Sequence, residues 1–415
     1  MAAPARRYLA WMFAAFAVLL AGVAVLSLYV DPYRIFYLPG RLDDAVARPR
    51  ATQHVVLTKA RGIAQVQPRT VVLGNSRAEV GFDPHAPAWP ASWQPVYNAA
   101  VPGSGLAQSV DMLAQALRSG HVQHVVVGLE FLDFLTDADA PADAPAENPD
   151  PAALRPRRDA LRTLLTLDSA VDSIVTLTTA GDGYAADVTA RGFNPLRQYV
   201  LDARREGYAG LFLQRDVENA RNYARQPHAL FRRGAQSSEA WRDLERLLAL
   251  ADRGGVELNL VVYPYHAHTL ELMRGAGLWP AFEAWKVHLA DVVERHAGSR
   301  PTCMLWDFSG YHAYARERVP PAGDRTTELA WYWEAGHFKP ALGERMLDRM
   351  FGKDAGADFG RCLTRVSAPQ VLSAIRAERE RYVAQQPDAV ARLAALSAAS
   401  APRAGPVRRR PAADP

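Results

Sequence analysis

From residue 8 to residue 30 the chain reads YLAWMFAAFAVLLAGVAVLSLYV, 23 positions without a charged side chain. A helix of that length crosses the hydrocarbon core of a bilayer. Beyond residue 67 the pattern changes, and short Val- and Leu-rich runs recur at Thr70–Leu73, Val96–Asn98, His124–Leu129, 258–263 and 304–307, separated by longer stretches of helical character. The runs lack polar alternation, which predicts strands covered on both faces, and their alternation with helices predicts a parallel sheet in an α/β domain. In such sheets ligands bind beyond the carboxyl ends of the strands, so chemistry is expected there.

The pattern divides the chain. Residues 1–7 carry Arg6 and Arg7, residues 8–30 are apolar, and Asp31 follows at once. Positive charge before the span and an acid after it place residues 1–7 in the cytoplasm and the rest outside. A cleaved signal peptide shares the basic start, but its apolar core is only about 7–15 residues long, so 8–30 is read as a retained anchor. Residues 31–66, opening with the aromatic segment DPYRIFYLPG, are membrane-proximal. The main domain is assigned to 67–352 and contains an insertion, 136–236. That insertion opens with an Asp/Ala/Pro tract, 136–156, read as a mobile loop, and continues with helical patches such as 158–179, read as a helical cap or a side subdomain of the kind that shapes substrate access. Residues 353–415 are read as one or two helices within 368–396 and a disordered basic tail, 397–415. Arg408, Arg409 and Arg410 in that tail are read as solvated rather than bound to anionic lipid.

Composition adds exclusions. About 385 residues follow the anchor and half the chain is apolar, enough for a sizeable core. The net charge is +4, with the arginine excess near the two ends, so no nucleic acid partner is expected. Two cysteines, Cys303 and Cys362, are too few for a cysteine metal cluster. Outside the cytoplasm they are free to form a disulfide, and two buried thiols are the alternative.

The first candidate for chemistry is Gly74-Asn75-Ser76-Arg77, directly after the strand Val71-Val72-Leu73. Gly allows a sharp turn that presents the Ser76 hydroxyl at the sheet edge. A serine hydroxyl needs a base in hydrogen-bond reach and a third group to orient that base. Glu334-Ala335-Gly336-His337 supplies both, because three residues let one short loop hold the carboxylate against the imidazole. A helix at 341–350 follows.

Gly-Asn-Ser at the first strand and acid-x-x-His near the C-terminus, in this order, resemble the first and last blocks of the SGNH (GDSL-like) hydrolase superfamily. The resemblance implies a flavodoxin-like three-layer sandwich with a five-stranded parallel sheet, beside the one N-terminal transmembrane helix. It implies that Ser76 is the nucleophile, His337 the base and Glu334, in place of the family's Asp, the orienting acid. Asn98-Ala-Ala-Val-Pro-Gly103 resembles the second block at Asn98 and Gly103, so the Ser76 and Gly103 amides are the expected oxyanion donors. The third block departs from the family: Gly128-Leu129-Glu130-Phe131 stands where Gly-x-Asn-Asp is usual. A free carboxylate at Glu130 repels an oxyanion, so either another group donates or Glu130 faces elsewhere.

Asn98, Arg77 and His266 are the candidate substrate contacts. His266-Ala-His268 lacks a third ligand at recognisable spacing, so structural or substrate-contacting histidines are favoured over zinc, and neither metal nor cofactor is expected. Trp279, Trp285, Trp331 and Trp333 are read as packing, with a sugar-stacking wall as the alternative. The preferred function is a single-pass protein of the bacterial inner membrane whose periplasmic domain is a serine esterase or O-acyltransferase. Its substrate is an acyl ester of an envelope or exported polysaccharide, or another envelope ester. A transferase would need a multi-pass membrane partner to deliver acyl groups. The rival is a non-catalytic scaffold of an envelope or polysaccharide export assembly that keeps the same fold.

Overall fold

A computed structural model describes residues 3–140, 156–164, 166–225, 227–235, 237–297, 303–353 and 358–401. Most of the Asp/Ala/Pro tract and Arg408, Arg409 and Arg410 lie outside these residues. The described strands are β1 (Thr70–Leu73), β2 (Val96–Asn98), β3 (His124–Leu129), β4 (Thr136–Asp137), β5 (His228–Ala229), β6 (Glu257–Val262), β7 (Leu305–Asp307), β8 (Tyr332–Glu334), β9 (His337–Phe338) and β10 (Arg361–Cys362). Six of them form the central sheet, in the order β10-β7-β6-β3-β1-β2. Every neighbouring pair is parallel except β10 with β7, which is antiparallel. β1 is buried at every position, and β3 and β6 at every position but their first, as expected of strands covered on both faces.

The sheet thus has six strands rather than five. The additional edge strand is two residues long and carries no hydrophobic run. It is held by the Cys303–Cys362 disulfide, whose Cα atoms are 5.7 Å apart.

Helices Leu106–Leu117 and Glu239–Gly254 pack on each other, and against β1 and β6 respectively. In the second, Trp241, Leu244, Leu247, Leu248 and Ala251 are buried at the helical period while the other face is charged. The C-terminal helices Ala368–Gln385 and Pro387–Ser400 are not an appendage to the domain. Their Ile375, Tyr382 and Leu393 belong to the same hydrophobic core as the strands. Ser397 to Ser400, expected in the tail, complete the last turn of the second helix, and Ser397 is buried.

At the other end, helix Ala3–Val30 contains the stretch long and apolar enough to cross a membrane. It runs directly into a buried polar knot. Arg34 is fully buried and donates to Val188 O at 2.8 Å and to Asp44 Oδ1 at 2.8 Å. Arg48, also fully buried, donates to Asp31 O at 3.2 Å, while its backbone N–H donates to Asp187 at 2.9 Å. Helix Val55–Val66 then leads to β1. The insertion leaves and rejoins the domain at one neck, where Thr136 pairs with Ala229 and Asp137 with His228 across the antiparallel β4–β5 ribbon.

Candidate active site

The turn after β1 is held from three sides. Gly74 has φ +135°, and a Cβ there would meet the Tyr263 hydroxyl at 2.5 Å, so a side chain is excluded by both backbone and space. Asn75 caps the short helix Ser76–Gly81 by accepting from the Arg77 N–H at 3.0 Å. The turn after β2 is laced to it, with Ala99 N donating to Val72 O at 2.8 Å and Val101 N to Gly74 O at 2.9 Å. That second turn carries Gly103, which is exposed, has φ +70° and has open space where a side chain would project. Ser76 opens its helix, so its N–H has no intrahelical acceptor.

Glu334 and His337 are brought together by strand pairing. β8 and β9 form a tight antiparallel hairpin in which Glu334 is the cross-strand partner of His337, with Ala335 and Gly336 at the tip. Such partners have adjacent side chains, and His337 Nδ1 is hydrogen-bonded to Glu334 Oε1. The hairpin is pinned to the domain: Thr269 Oγ1 donates to Ala335 O at 2.8 Å and the Tyr332 hydroxyl to Pro264 O at 2.9 Å. Phe338 packs against Gly81, where a Cβ would lie only 2.0 Å from its ring. The hairpin is therefore seated on the helix that begins with Ser76.

This seating brings His337 Nε2 to 2.8 Å from Ser76 Oγ. Serine, imidazole and carboxylate form one hydrogen-bonded line across 261 positions of chain. Glu334 is 2% exposed, and its second oxygen accepts from Gly336 N at 2.6 Å and Arg215 Nε at 3.0 Å. Burial alone pushes the Glu334 carboxyl up. The His337 hydrogen bond and charge, the Arg215 charge and the Gly336 N–H outweigh it and hold the carboxyl below its ordinary value. Glu334 is thus a buried carboxylate kept ionised beside an imidazole, suited to fixing the ring and stabilising its cationic form.

No protein-family model matches this chain, and no curated protein does.

Read from its chemistry alone, the site explains the departure at Glu130. Glu130 Oε2 is paired with the Arg77 guanidinium and Glu130 Oε1 accepts from the Tyr265 hydroxyl at 2.9 Å. Arg77 also donates through Nε to Gly336 O at 2.6 Å and lies 5.2 Å from the Tyr265 ring centroid. The carboxylate feared as an oxyanion repellent is therefore neutralised. Arg77, expected among substrate contacts, ties the end of β3 to the tip of the hairpin instead.

Two further expectations change. Asn98 is fully buried, and its amide donates to Ala78 O at 2.9 Å, Glu79 O at 3.2 Å and Phe82 O at 2.9 Å, at the end of the Ser76 helix. It fixes the Ser76 helix to β2 and is closed off from solvent. His266 is 1% exposed, caps helix Ala267–Gly275 by accepting from His268 N at 3.2 Å, and sits 3.0 Å from Glu317 O through Nε2. It too is structural. Trp279, Trp285 and Trp333 are buried and Trp331 packs on Tyr314, so these rings are packing. Among the described residues no group of three or more His, Cys, Asp or Glu side chains is placed to hold a metal ion.

Three residues at the site carried no signal in the sequence. Arg215 comes from the inserted helix Tyr208–Ala224, and Tyr263 from the end of β6. Asp133 follows β3, with its carboxyl carbon 4.0 Å from where a Cβ on Gly105 would lie, beside the Gly103 turn. Burial pushes the Asp133 carboxyl up to about 7, against the pull of Arg77. The spacing Glu130-x-x-Asp133 was visible, but nothing in it distinguished an acid facing the site from one facing solvent.

Proposed function

We propose that this chain is a membrane-anchored serine esterase or O-acyltransferase of the SGNH type, using Ser76, His337 and Glu334. The observation that carries the reading is the position of His337, 2.8 Å from the Ser76 hydroxyl on one nitrogen and bonded to a buried carboxylate on the other. Ser76 Oγ attacks the ester carbonyl as its proton passes to His337 Nε2, and the oxyanion lies against the Ser76 and Gly103 amides. Each such donor is worth about 3–4 kcal/mol in the transition state. The intermediate collapses with the alkoxide leaving on the His337 proton, and Ser76 keeps the acyl group. Water or a sugar hydroxyl then gives its proton to His337 and attacks the acyl carbon, and the bond to Ser76 Oγ breaks.

The five parallel strands follow the order of a flavodoxin-like sheet, 2-1-3-4-5. This supports the SGNH reading, with β10 as an addition at one edge. Arg6 and Arg7 favour residues 1–7 in the cytoplasm, and a disulfide at Cys303–Cys362 fits an oxidising compartment such as the periplasm. A substrate for a domain held there is an acylated envelope or exported polysaccharide, with a multi-pass partner supplying acyl groups if the acceptor is a sugar. The scaffold alternative starts from the missing third-block Asn, which the Arg77–Glu130 pair does not replace; the 2.8 Å contact between Ser76 and His337 favours catalysis over it.

The test is p-nitrophenolate release from p-nitrophenyl acetate by the full chain in detergent, with and without a deacetylated polysaccharide acceptor. Release that depends on Ser76, with or without acetyl appearing on the polysaccharide, supports the reading and separates transferase from esterase. A folded wild type no faster than Ser76→Ala under both conditions overturns it.

A further inference from the structure

Helix Leu167–Thr178 in the insertion is built inside out. Its buried side chains are Ser169, Asp172, Ser173 and Thr176. Its exposed large apolar side chains are Leu167, Val171, Ile174 and Leu177, at 80%, 49%, 54% and 42%, and the polar Asp168 and Thr178 are exposed at its two ends. Positions 167, 171 and 174 lie on one face at the helical period. A surface helix of a water-soluble domain turns its apolar stripe inward. The reversed arrangement is stable where the medium outside is itself apolar and the polar groups find partners within the protein.

Here they do. Asp172 accepts from the Tyr33 hydroxyl at 2.7 Å and lies 3.5 Å from Arg50 Nε. The Ser173 hydroxyl donates to Ser169 O at 2.7 Å and the Thr176 hydroxyl to Asp172 O at 2.8 Å. The inward face of this helix is anchored by the residues that leave the apolar N-terminal helix.

A second, independent observation says what covers the outward face. Helix Leu167–Thr178 packs directly against helix Ala3–Val30. Along that longer helix residues 11–19 are exposed on every side, whereas Val23, Ala24, Ser27 and Val30 are partly or fully covered. Contact at its C-terminal end leaves Val25 and Tyr29 exposed, at 66% and 49%, alongside the exposed face of the shorter helix. The two helices touch and each exposes apolar side chains, and one of them contains a segment long and apolar enough to span a bilayer.

We propose that helix Leu167–Thr178 is a second membrane-contacting element, lying in the bilayer at the level of the last turns of the anchor with Leu167, Val171, Ile174 and Leu177 among acyl chains. The occupant of this face is lipid, because the helix it packs against is the one long and apolar enough to cross a bilayer. Exposed Arg158 and Arg162, on the preceding helix Pro156–Thr163, are of the charge that anionic headgroups attract. Together with the Arg34–Asp187 contact, this element fixes the height and tilt of the domain over the membrane, so the Ser76 site does not swing on a tether. The inference rests on the anchor crossing the bilayer and is independent of any chemistry at Ser76.

Both cysteines are paired, so a single added thiol is a unique label site. The full chain carrying Ile174→Cys, labelled with an environment-sensitive fluorophore, is reconstituted into phosphatidylcholine–phosphatidylglycerol vesicles and floated on a density gradient. Arg118→Cys, on an exposed arginine, is the aqueous control. The expected result is loss of fluorescence at position 174 with acyl-brominated lipid and none with iodide, and the reverse at 118. Val171→Cys, on the same face, replaces Ile174→Cys if that variant does not fold. A chain that floats but is quenched at 174 by iodide overturns this inference alone. So does a label shielded from both quenchers, the result a second copy covering the face would give. A chain that fails to float overturns the anchor and this inference together.

Discussion

Just beyond helix Ala3–Val30, Arg34 and Arg48 are fully buried, and their guanidinium groups are taken up by backbone carbonyls and the Asp44 and Asp187 carboxylates. At the sheet edge Arg77 and Arg215 also meet carboxylates, Glu130 and Glu334, but remain 13% and 24% exposed, beside a histidine 15% exposed. The same pairing serves two ends. Where everything is satisfied, the charges lock the domain to its anchor and have nothing left to offer a ligand. Where the pairing is one-sided, the arginines hold the carboxylates in place and leave the serine and imidazole to act on something from outside.

That contrast predicts separable losses. Ser76→Ala or His337→Ala should lower esterase turnover by at least about 10³-fold, with the melting temperature unchanged for Ser76→Ala, checked by steady-state kinetics and calorimetry on the same sample. Glu334→Gln keeps the shape but loses the charge that orients His337, and a fall of about 10²–10⁴-fold is expected. Its stability signature has a sign as well. The folded carboxyl lies below its unfolded value of 4.5, so its contribution is present above that pH and is lost as the pH falls through the folded value. The difference between wild type and Glu334→Gln should therefore shrink on acidification below 4.5, and thermal unfolding from pH 7 to pH 3 measures it.

The opposite profile is expected of Arg34→Met, which leaves Asp44 and Asp187 short of their partner. It should cost about 3–5 kcal/mol of stability while turnover per folded molecule stays at the wild-type level. A large fall in turnover for correctly folded Arg34→Met would show that the two regions are coupled and break the comparison. The smallest effect sharpens it. Asp133 is an acid whose folded value is raised, so the folded state binds the extra proton and the charge weakens the fold as the pH rises from 3.8 towards 7. Asp133→Asn should stabilise by on the order of 1–3 kcal/mol at pH 8 and by little at pH 4, read as the shift in unfolding midpoint.

What could be read from the sequence was what is local. The β1 run with Gly74 and Ser76 after it, and Glu334 three positions before His337, are patterns a few residues long, and each maps onto one turn or one hairpin. Arg215 lies 119 positions from Glu334, on an inserted helix, and no spacing announces it. Asn98 and His266 were singled out correctly as polar residues at strand ends, yet such residues serve backbone closure as readily as ligands, and only burial separates the two uses. β10 is too short to leave a hydrophobic trace. The amphipathic character of residues 167–178 is visible in the letters, but which face turns outward depends on the medium, and that was fixed only by contact with helix Ala3–Val30.

The most direct test of the central claim is covalent labelling of the full chain in detergent by a fluorophosphonate, which reacts with a serine only when a base activates it. Wild type should label at Ser76, with labelling abolished in both Ser76→Ala and His337→Ala and strongly slowed in Glu334→Gln. A folded wild type that does not label, or labelling that persists in His337→Ala, would contradict the account.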